Sequence, residues 1–239
     1  VNKDYNVLLK ARQLGISTLT AGYALWMMTF YDDKNILVIA TKQDVAKNLV
    51  TKVRVMHASL PTWLKQKCVE DNKLSLRYKN GSQIKAVASS EEAGRSEALS
   101  LLILDEAAFI PRIDSIWTAA SQTLALGGRC IALSTPNGVG NWFHKTWIDA
   151  EDGLNEWNIL KLHWSVHPDR DQEWRDHQDK LLGPSMAAQE CDCDFVTSGQ
   201  MVIDGRILEE YKVDHVRDPI ERRGVDSNVW VWEQPNYTK

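Results

Sequence analysis

The chain has 239 residues and a mass of 27.2 kDa, with 44% hydrophobic and 25% charged residues. These proportions are ordinary for a soluble globular protein and exclude a disordered tail, a collagen-like fibre and a disulfide-rich mini-protein. The net charge of −4 argues against a static nucleic-acid coat, and no apolar stretch is long enough to span a bilayer. No secretory signal opens the chain, and its first residue is Val1, so we expect an internal piece of a longer protein.

The predicted elements alternate between strands and helices. In chain order they are a strand at 6–10, a helix at 17–31, a strand at 35–40, a helix at 42–58, strands at 73–79 and 82–87, strands at 101–104 and 129–134, a helix at 141–150 and a strand at 158–163. Asn80-Gly81 between alternating runs is a strong hairpin signal. Wholly apolar strands that alternate with helices predict an α/β fold with a mostly parallel sheet covered on both faces.

Three of these strands end in polar turns. The first leads into Lys10-Ala-Arg-Gln13, the strand at 101–104 into Asp105-Glu106, and the strand at 129–134 ends in Ser134-Thr135. In open parallel sheets, ligands bind beyond the carboxyl ends of the strands. We therefore expect the three turns to form one site if the strands are neighbours.

The C-terminal part of the chain differs from the rest. Gly183-Pro184 and Ser198-Gly199 are breaks, and beyond Asp204 the sequence is charged and weakly patterned. A short alternation of Val and Trp covers 229–232. We predict one domain over residues 1–196, and a linker or small subdomain over 197–239 that begins a further domain absent from this chain.

Charge and cysteine positions add two minor points. The segment from Lys42 to Arg95 holds eleven basic and five acidic residues, which is typical of a phosphate-contacting face or of a solvated helix and hairpin. The absence of interleaved aromatic residues favours the second interpretation. The four cysteines match no zinc-finger spacing and indicate reduced thiols in a cytosolic protein, and six of the ten tryptophans lie between Trp117 and Trp174, where we expect them to pack the core.

The turn after the first strand resembles a phosphate-binding loop. The common pattern is G-x-x-x-x-G-K-[ST], in which backbone N–H groups surround a phosphate. Here Gly15 and Ser17 occupy the second Gly and hydroxyl positions, whereas Lys10 stands at the first Gly position and Ile16 at the lysine position. The strand before and the helix after suit an anion at a helix N-terminus, and Lys10 or Arg12 could supply the missing cation. The alternative is an ordinary strand-to-helix turn.

The run Leu101-Leu-Ile-Leu-Asp105-Glu106 is typical of a Walker B strand. Asp105 would hold Mg²⁺ and Glu106 would orient the attacking water, whereas the alternative is a solvated acidic turn. Ser134-Thr-Pro-Asn-Gly138 places hydroxyl groups where they could sense a γ-phosphate, although Pro and Gly also make ordinary β-turns.

In this order the three features resemble the large terminase subunit of tailed bacteriophages, a DNA-packaging ATPase. Residues 12–15 match the family's loop, 104–109 its Walker B and 134–138 its coupling motif, and 188–195 followed by Ser198-Gly199 looks like the end of its ATPase domain. The resemblance covers residues 8–199. It implies a RecA-like, additional-strand P-loop ATPase fold with flanking helices, Mg²⁺-dependent ATP hydrolysis and translocation of double-stranded viral DNA into a procapsid.

The resemblance also implies roles for individual residues. Glu106 is the expected catalytic carboxylate, Arg12 the loop arginine and Lys10 a displaced Walker lysine, with Ser17 and Asp105 as ligands of Mg²⁺. The residues expected to surround ATP are Lys10, Ala11, Arg12, Gln13, Leu14, Gly15, Ile16, Ser17 and Thr18. Those expected to couple hydrolysis to movement are Ser134, Thr135 and Pro136. Arg95 and Ser96 occupy a position where family members often place an arginine near the nucleotide.

The expected partners also follow from the resemblance. They are double-stranded DNA, the viral portal protein, the small terminase subunit and further copies of the chain in a ring, in the host cytoplasm and without a membrane. Because the chain ends before any acidic nuclease cluster, we expect no DNA cleavage by this piece. Two alternatives stay open: another nucleic-acid P-loop ATPase such as a helicase, and a non-hydrolysing nucleotide-binding scaffold, which Ile16 at the lysine position favours and Glu106 disfavours.

Overall fold

A computed structural model describes residues 4–89, 98–124, 127–196, 217, 219–223 and 229–233. The chain divides into two units, Val1–Gln200 and Met201–Lys239. The strands of the first unit are β1 Tyr5–Lys10, β2 Asn35–Ala40, β3 Cys68–Asp71, β4 Ser75–Tyr78, β5 Gln83–Ala88, β6 Leu101–Asp105, β7 Arg129–Ser134 and β8 Asn158–Leu162. Its α-helices are α1 Ile16–Phe30, α2 Gln43–Ser59, α3 Ile113–Leu124, α4 Trp142–Glu151, α5 Gln172–Leu182 and α6 Pro184–Ala187. A π-helical turn, Ala188–Asp192, continues directly from α6.

The eight strands form one mostly parallel sheet in the order β3-β4-β5-β2-β6-β7-β1-β8. Six strands are parallel to one another, and the antiparallel pairings are confined to one edge, where β4 pairs with both β3 and β5. The expected α/β fold with a mostly parallel sheet is therefore confirmed. Strand β7 lies between β1 and β6, and its Ala132 is level with both Val7 and Leu104.

Both faces of the sheet are buried, which explains why its strands are almost wholly apolar. On β6, Leu102 and Leu104 belong to one core cluster, and Leu101 and Ile103 belong to the other. Helices α1 and α2 supply the second cluster, whereas α3, α4 and the residues around 191–195 supply the first. The alternation of side chains along each strand thus divides the hydrophobic core into two layers.

The predicted strands and helices of the parallel part agree closely with the structure, and helix α1 begins one residue earlier than expected, at Ile16. The predicted Asn80-Gly81 hairpin is also confirmed, since β4 and β5 pair antiparallel. Gly81 is required there because its φ is +84° and a Cβ would meet the carboxylate of Asp33. Within the predicted basic segment, β3 and β4 are separated from β1 by at least four strands, whereas Lys52 on α2 lies near enough to Asp105 to lower the pKa of that carboxyl.

Four tryptophan and tyrosine rings form a cluster between β1, α3, α4 and β8. Tyr5, Trp117, Trp142 and Trp157 contact one another with ring centroids 5.0–5.8 Å apart. Trp142 and Trp157 are buried in the first core cluster, and so are Trp147 and Trp164. These rings pack the core, as the sequence predicted.

No helix within the described ranges combines the length and the apolar character that a membrane span requires. In the second unit, β9 Glu221–Arg223 and β10 Val229–Val231 pair antiparallel as a short ribbon. The predicted boundary near residue 197, and most of the predicted linker, lie outside the described residues.

Candidate functional site

The three polar turns meet at one edge of the sheet. They follow β1, β6 and β7, which are consecutive in the sheet and parallel, so their carboxyl ends point the same way. Ser134 on β7 is level with Leu9 on β1, and Asp105 on β6 is level with Leu133 on β7. The three strands are therefore neighbours, which is the condition under which the sequence predicted a single site.

The turn between β1 and α1 has the backbone shape of an anion-binding loop. Gln13 has a φ of +58° and Gly15 a φ of +76°, so the chain twice enters the left-handed region before the helix begins. Gly15 is the N-cap of α1 and has no side chain to cap the first helical N–H groups. Thr18 N–H and Leu19 N–H donate to the carbonyl oxygen of Gly15, so the N–H groups that can face an anion are those of Ile16 and Ser17, at the end of the helix that its dipole favours for negative charge.

Lys10 is buried and points across the site from the end of β1. Its Nζ lies 3.4 Å from Oε1 of Glu106, which follows β6. Next to this pair, Ser17 Oγ at the start of α1 lies 3.5 Å from Oδ1 of Asp105. The loop and the acidic turn are thus connected by one cation–carboxylate pair and one hydroxyl–carboxylate contact.

Burial raises the pKa of Asp105 above its ordinary value, the neighbouring charge of Glu106 raises it further, and Lys10 opposes both effects. Glu106 itself adopts a left-handed backbone, with φ +55° and ψ +46°. A non-glycine residue in that conformation is uncommon and is often found at functional sites. The turn therefore directs two adjacent carboxylates differently: that of Asp105 is buried in the sheet, and that of Glu106 is partly exposed.

Ser134 holds the segment that follows Glu106. Its fully buried Oγ accepts a hydrogen bond of 3.2 Å from the backbone N–H of Ala108, and Asn137 Nδ2 donates to the carbonyl oxygen of the same residue at 3.1 Å. Thr135 and Pro136 are buried beside it. The motif at residues 134–138 is consequently attached to the acidic turn through both backbone groups of one residue.

The remaining loop residues have packing or exposed positions. Ala11 is fully buried, Leu14 packs against the first core cluster and Ile16 against the second. Ile16 therefore fills space under the loop at the position where a Walker lysine would stand. Gln13 and Thr18 are exposed. Arg95 and Ser96 lie outside the described residues.

Arg12 has a partner that the sequence did not predict. Its Nε lies 2.8 Å from Oε2 of Glu190 in the π-helical turn, and its backbone N–H donates to the carbonyl oxygen of Glu190, also at 2.8 Å. Burial raises the pKa of Glu190, Arg12 lowers it and Glu106 raises it. Glu190 stands in the 188–195 motif, but nothing in the spacing of that motif indicates a contact with residue 12.

Arg170 contacts the same loop from the segment between β8 and α5. Its Nη1 donates to the carbonyl oxygen of Arg12 at 3.0 Å, and its Nη2 to that of Gln13 at 3.4 Å. The guanidinium also lies over the ring of Trp174, 4.4 Å from the centroid. The ring and the two carbonyl groups together fix the back of the loop.

The sheet order and the convergent turns define a RecA-like α/β protein. The family model for the large terminase subunit, T4likevirus-type, N-terminal, matches residues 7–210, and the chain belongs to this family. The terminase large subunit of Thermus phage G20c is 28% identical to it over 178 residues, covering 57% of this chain and 36% of that protein. The matched part thus spans about a third of the relative's length.

Solved structures show the same fold at low sequence identity. The large terminase ATPase domain of Thermus phage P74-26 has a TM-score of 0.67 and 23% identity, with 82% of this chain and 90% of that one covered. The large terminase of a thermophilic bacteriophage, solved in complex with ADP, has a TM-score of 0.62 and 15% identity, with 79% and 47% covered. These likenesses concern the fold alone.

Proposed function

We propose that this chain hydrolyses ATP in a Mg²⁺-dependent reaction, and that the hydrolysis drives double-stranded DNA into a viral procapsid. The observation that carries the proposal is the buried Lys10 beside Glu106, next to the Ser17–Asp105 contact. A cation, a metal-binding carboxylate and a second carboxylate are the groups that phosphoryl transfer needs, and here they meet at a phosphate-loop-like turn.

The loop would bind the phosphates through the N–H groups at the start of α1, with residues 10–18 around the nucleotide. Lys10 would replace the Walker lysine, because it approaches the site from the end of β1 and leaves its usual position to the packing residue Ile16. A buried ammonium in a site of low polarity attracts phosphate charge more strongly than an exposed one.

Ser17 and Asp105 would hold Mg²⁺. A hydroxyl oxygen and a carboxylate oxygen already lie 3.5 Å apart, and both are hard ligands of the kind that this ion prefers. When bound, Mg²⁺ would neutralise charge that develops on the phosphates. The residues present therefore fit the metal.

Glu106 would orient the attacking water and accept its proton. Its carboxylate is paired with Lys10, and this ion pair holds it at the site. Ser134, Thr135 and Pro136 would couple hydrolysis to movement, because Ser134 already holds Ala108, two residues beyond Glu106. A movement of Glu106 would thus displace Ala108 and, through this hydrogen bond, Ser134 at the end of β7.

The remaining parts of the proposal concern the whole protein. Its partners would be double-stranded DNA, the portal protein and the small terminase subunit, and it would act as a ring of identical chains in the host cytoplasm. Membership of the large terminase family supports these partners. The ADP complex of the thermophilic bacteriophage terminase, which has the same fold, supports ATP as the nucleotide.

The test is Mg²⁺-dependent ATP hydrolysis by the purified chain, compared with Glu106→Gln and with Glu173→Gln, an exposed glutamate on α5. We expect weak turnover in the parent, unchanged in Glu173→Gln and lower by a factor of about 10² or more in Glu106→Gln. Nucleotide binding should persist in all three proteins. Equal turnover in the parent and in Glu106→Gln would contradict the assignment of Glu106.

One alternative has an observation in its favour. Ile16 at the lysine position is what a nucleotide-binding scaffold without hydrolysis would also carry. The same experiment separates the two functions, because a scaffold would bind nucleotide with no turnover in the parent or in either variant.

A further inference from the structure

The ion pair between Arg12 and Glu190 joins one exposed side chain and one buried side chain. The Arg12 side chain is 66% exposed, whereas that of Glu190 is only 11% exposed. Within the described part of the chain, Arg12 is the only ion-pair partner of Glu190. Oε2 of Glu190 is thus a buried oxygen that is close to Arg12 Nε but accepts no hydrogen bond of good geometry, and the guanidinium is the exposed member of the pair.

The backbone around the pair is held independently of the two side chains. Ala11 N–H donates to the carbonyl oxygen of Leu162, Arg12 N–H to that of Glu190, and Arg170 donates to the carbonyl oxygen of Arg12. The loop thus keeps its place when the ion pair breaks. Movement of the Arg12 side chain alone needs no change in the fold.

Glu190 is also anchored on its own side. Asp192, two residues later, accepts two hydrogen bonds from Arg175, at 2.7 Å from Nε and 2.6 Å from Nη2. Arg175 is buried on α5 and also binds Asp179 at 2.6 Å. The π-helical turn is consequently fixed to α5 at a point two residues beyond Glu190.

We propose that Glu190 is a positioning residue that holds the Arg12 side chain away from the phosphate site until a nucleotide competes for it. This inference rests on the proposed function, and it adds a residue to that function. A bound triphosphate offers Arg12 several anionic oxygens, and charge-assisted bonds between guanidinium and phosphate are strong. Binding must first break the pair and leave a buried carboxylate without its partner, which weakens the apparent affinity.

Removing the charge of Glu190 should therefore tighten nucleotide binding. Glu190→Gln keeps the shape of the side chain but ends the ion pair, and we expect the dissociation constant for a fluorescent ATP analogue with Mg²⁺ to fall about five- to tenfold. Glu190→Asp should give an intermediate value, because the carboxylate remains but is shorter. A residue that merely supported the loop would weaken binding when altered.

A double-mutant cycle distinguishes competition for Arg12 from simple repulsion between Glu190 and phosphate. In an Arg12→Ala background, Glu190→Gln should change the dissociation constant by less than about twofold. Equal tightening in both backgrounds would overturn the proposal, since repulsion alone would then explain it. Glu173→Gln is the matched control for the loss of one negative charge.

Two further results of the binding measurements also test the role of Glu190. Binding that is unchanged or weaker in Glu190→Gln, while the parent binds nucleotide, refutes the role of Glu190 and leaves the proposed function intact. Absence of nucleotide binding in the parent and in every variant refutes both. Unfolding midpoints of the variants within a few degrees of the parent ensure that the comparison is made between folded proteins.

Discussion

Lys10 Nζ lies 3.4 Å from Glu106 Oε1, although 96 positions of the chain separate the two residues. The contact exists because β1 and β6 are parallel and only β7 stands between them, so the turns after both strands open at the same edge. In the common phosphate-binding loop, the lysine stands at the start of the following helix. Here a lysine at the end of the preceding strand would supply the cation instead. The pair is a property of the sheet order, and neither local sequence requires it.

This arrangement predicts that Lys10 is the cation on which turnover depends. Lys10→Met preserves the length and apolar volume of the buried side chain but removes its charge. We expect kcat for ATP to fall by about 10²–10³-fold, because a positioned charge in a buried site is lost. The fold should persist, since Glu106 is partly exposed and can be hydrated without its partner.

The control for this measurement is Lys145→Met, because Lys145 is a lysine that is exposed on α4. Its kcat should equal that of the parent. If Lys10→Met retained full turnover while Arg12→Met lost it, the role of the Walker lysine would belong to Arg12 instead.

Ser134→Ala should destabilise the protein and reduce turnover. The substitution leaves the buried N–H of Ala108 without an acceptor, which costs about 1–3 kcal/mol. Turnover should fall as well, because Ala108 stands two residues after Glu106 and its position sets the end of the acidic turn. Chemical denaturation and steady-state ATP hydrolysis measure the two effects.

Ser59→Ala is the matched control, since Ser59 also bonds to backbone, through the carbonyl oxygen of Val55, but is exposed. We expect its effect on the free energy of unfolding to lie within about 0.5 kcal/mol. A Ser134→Ala protein as stable as Ser59→Ala would show that the buried hydrogen bond contributes nothing.

The sequence predicts the parallel part of this fold well, for a physical reason. Strands such as β2 and β7 are continuous apolar runs that must be buried on both faces, and their lengths are visible in the sequence. Within the site, the positions that the sequence predicts are those at the ends of such strands. Lys10, Asp105 and Ser134 are all placed in this way.

What the sequence did not predict depends on contacts from distant elements. Helix α5 is polar over most of its length, and it is held by the Asp171 cap and by Arg175. Neither the helix nor its two contacts was predicted. Glu190 contacts Arg12 because a π-helical turn follows α6, and no periodicity in the sequence predicts that turn. Helix α3 was missed although its buried residues have helical spacing.

The tryptophan cluster should carry much of the stability of the first unit. Trp157 contacts Tyr5, Trp117 and Trp142 and is only 6% exposed. Trp157→Ala removes a large buried ring, and we expect a loss of about 3–5 kcal/mol in the free energy of unfolding. Trp63→Ala, at a residue 83% exposed, should cost less than about 0.5 kcal/mol. Equal denaturation midpoints for the two variants would contradict the burial of the cluster.

Two glycines should respond to alanine in opposite directions. Gly128 precedes β7, and a Cβ there would clash with the carbonyl oxygen of Leu99 and lie 2.7 Å from Cδ2 and 3.1 Å from Cα of Leu124. Because backbone atoms cannot yield as a flexible side chain can, we expect Gly128→Ala to destabilise the protein by about 1–3 kcal/mol.

Gly22 lies within helix α1, and a Cβ there would meet only Sδ of Met56, at an ordinary contact distance of 3.9 Å. Gly22→Ala should stabilise the protein by about 0.5–1 kcal/mol, because alanine loses less conformational entropy than glycine on entering a helix. Thermal unfolding of the two variants beside the parent measures both signs. A lower midpoint for Gly22→Ala would show that α1 and α2 pack more closely than this distance indicates, since the added methyl group would then have to displace Met56.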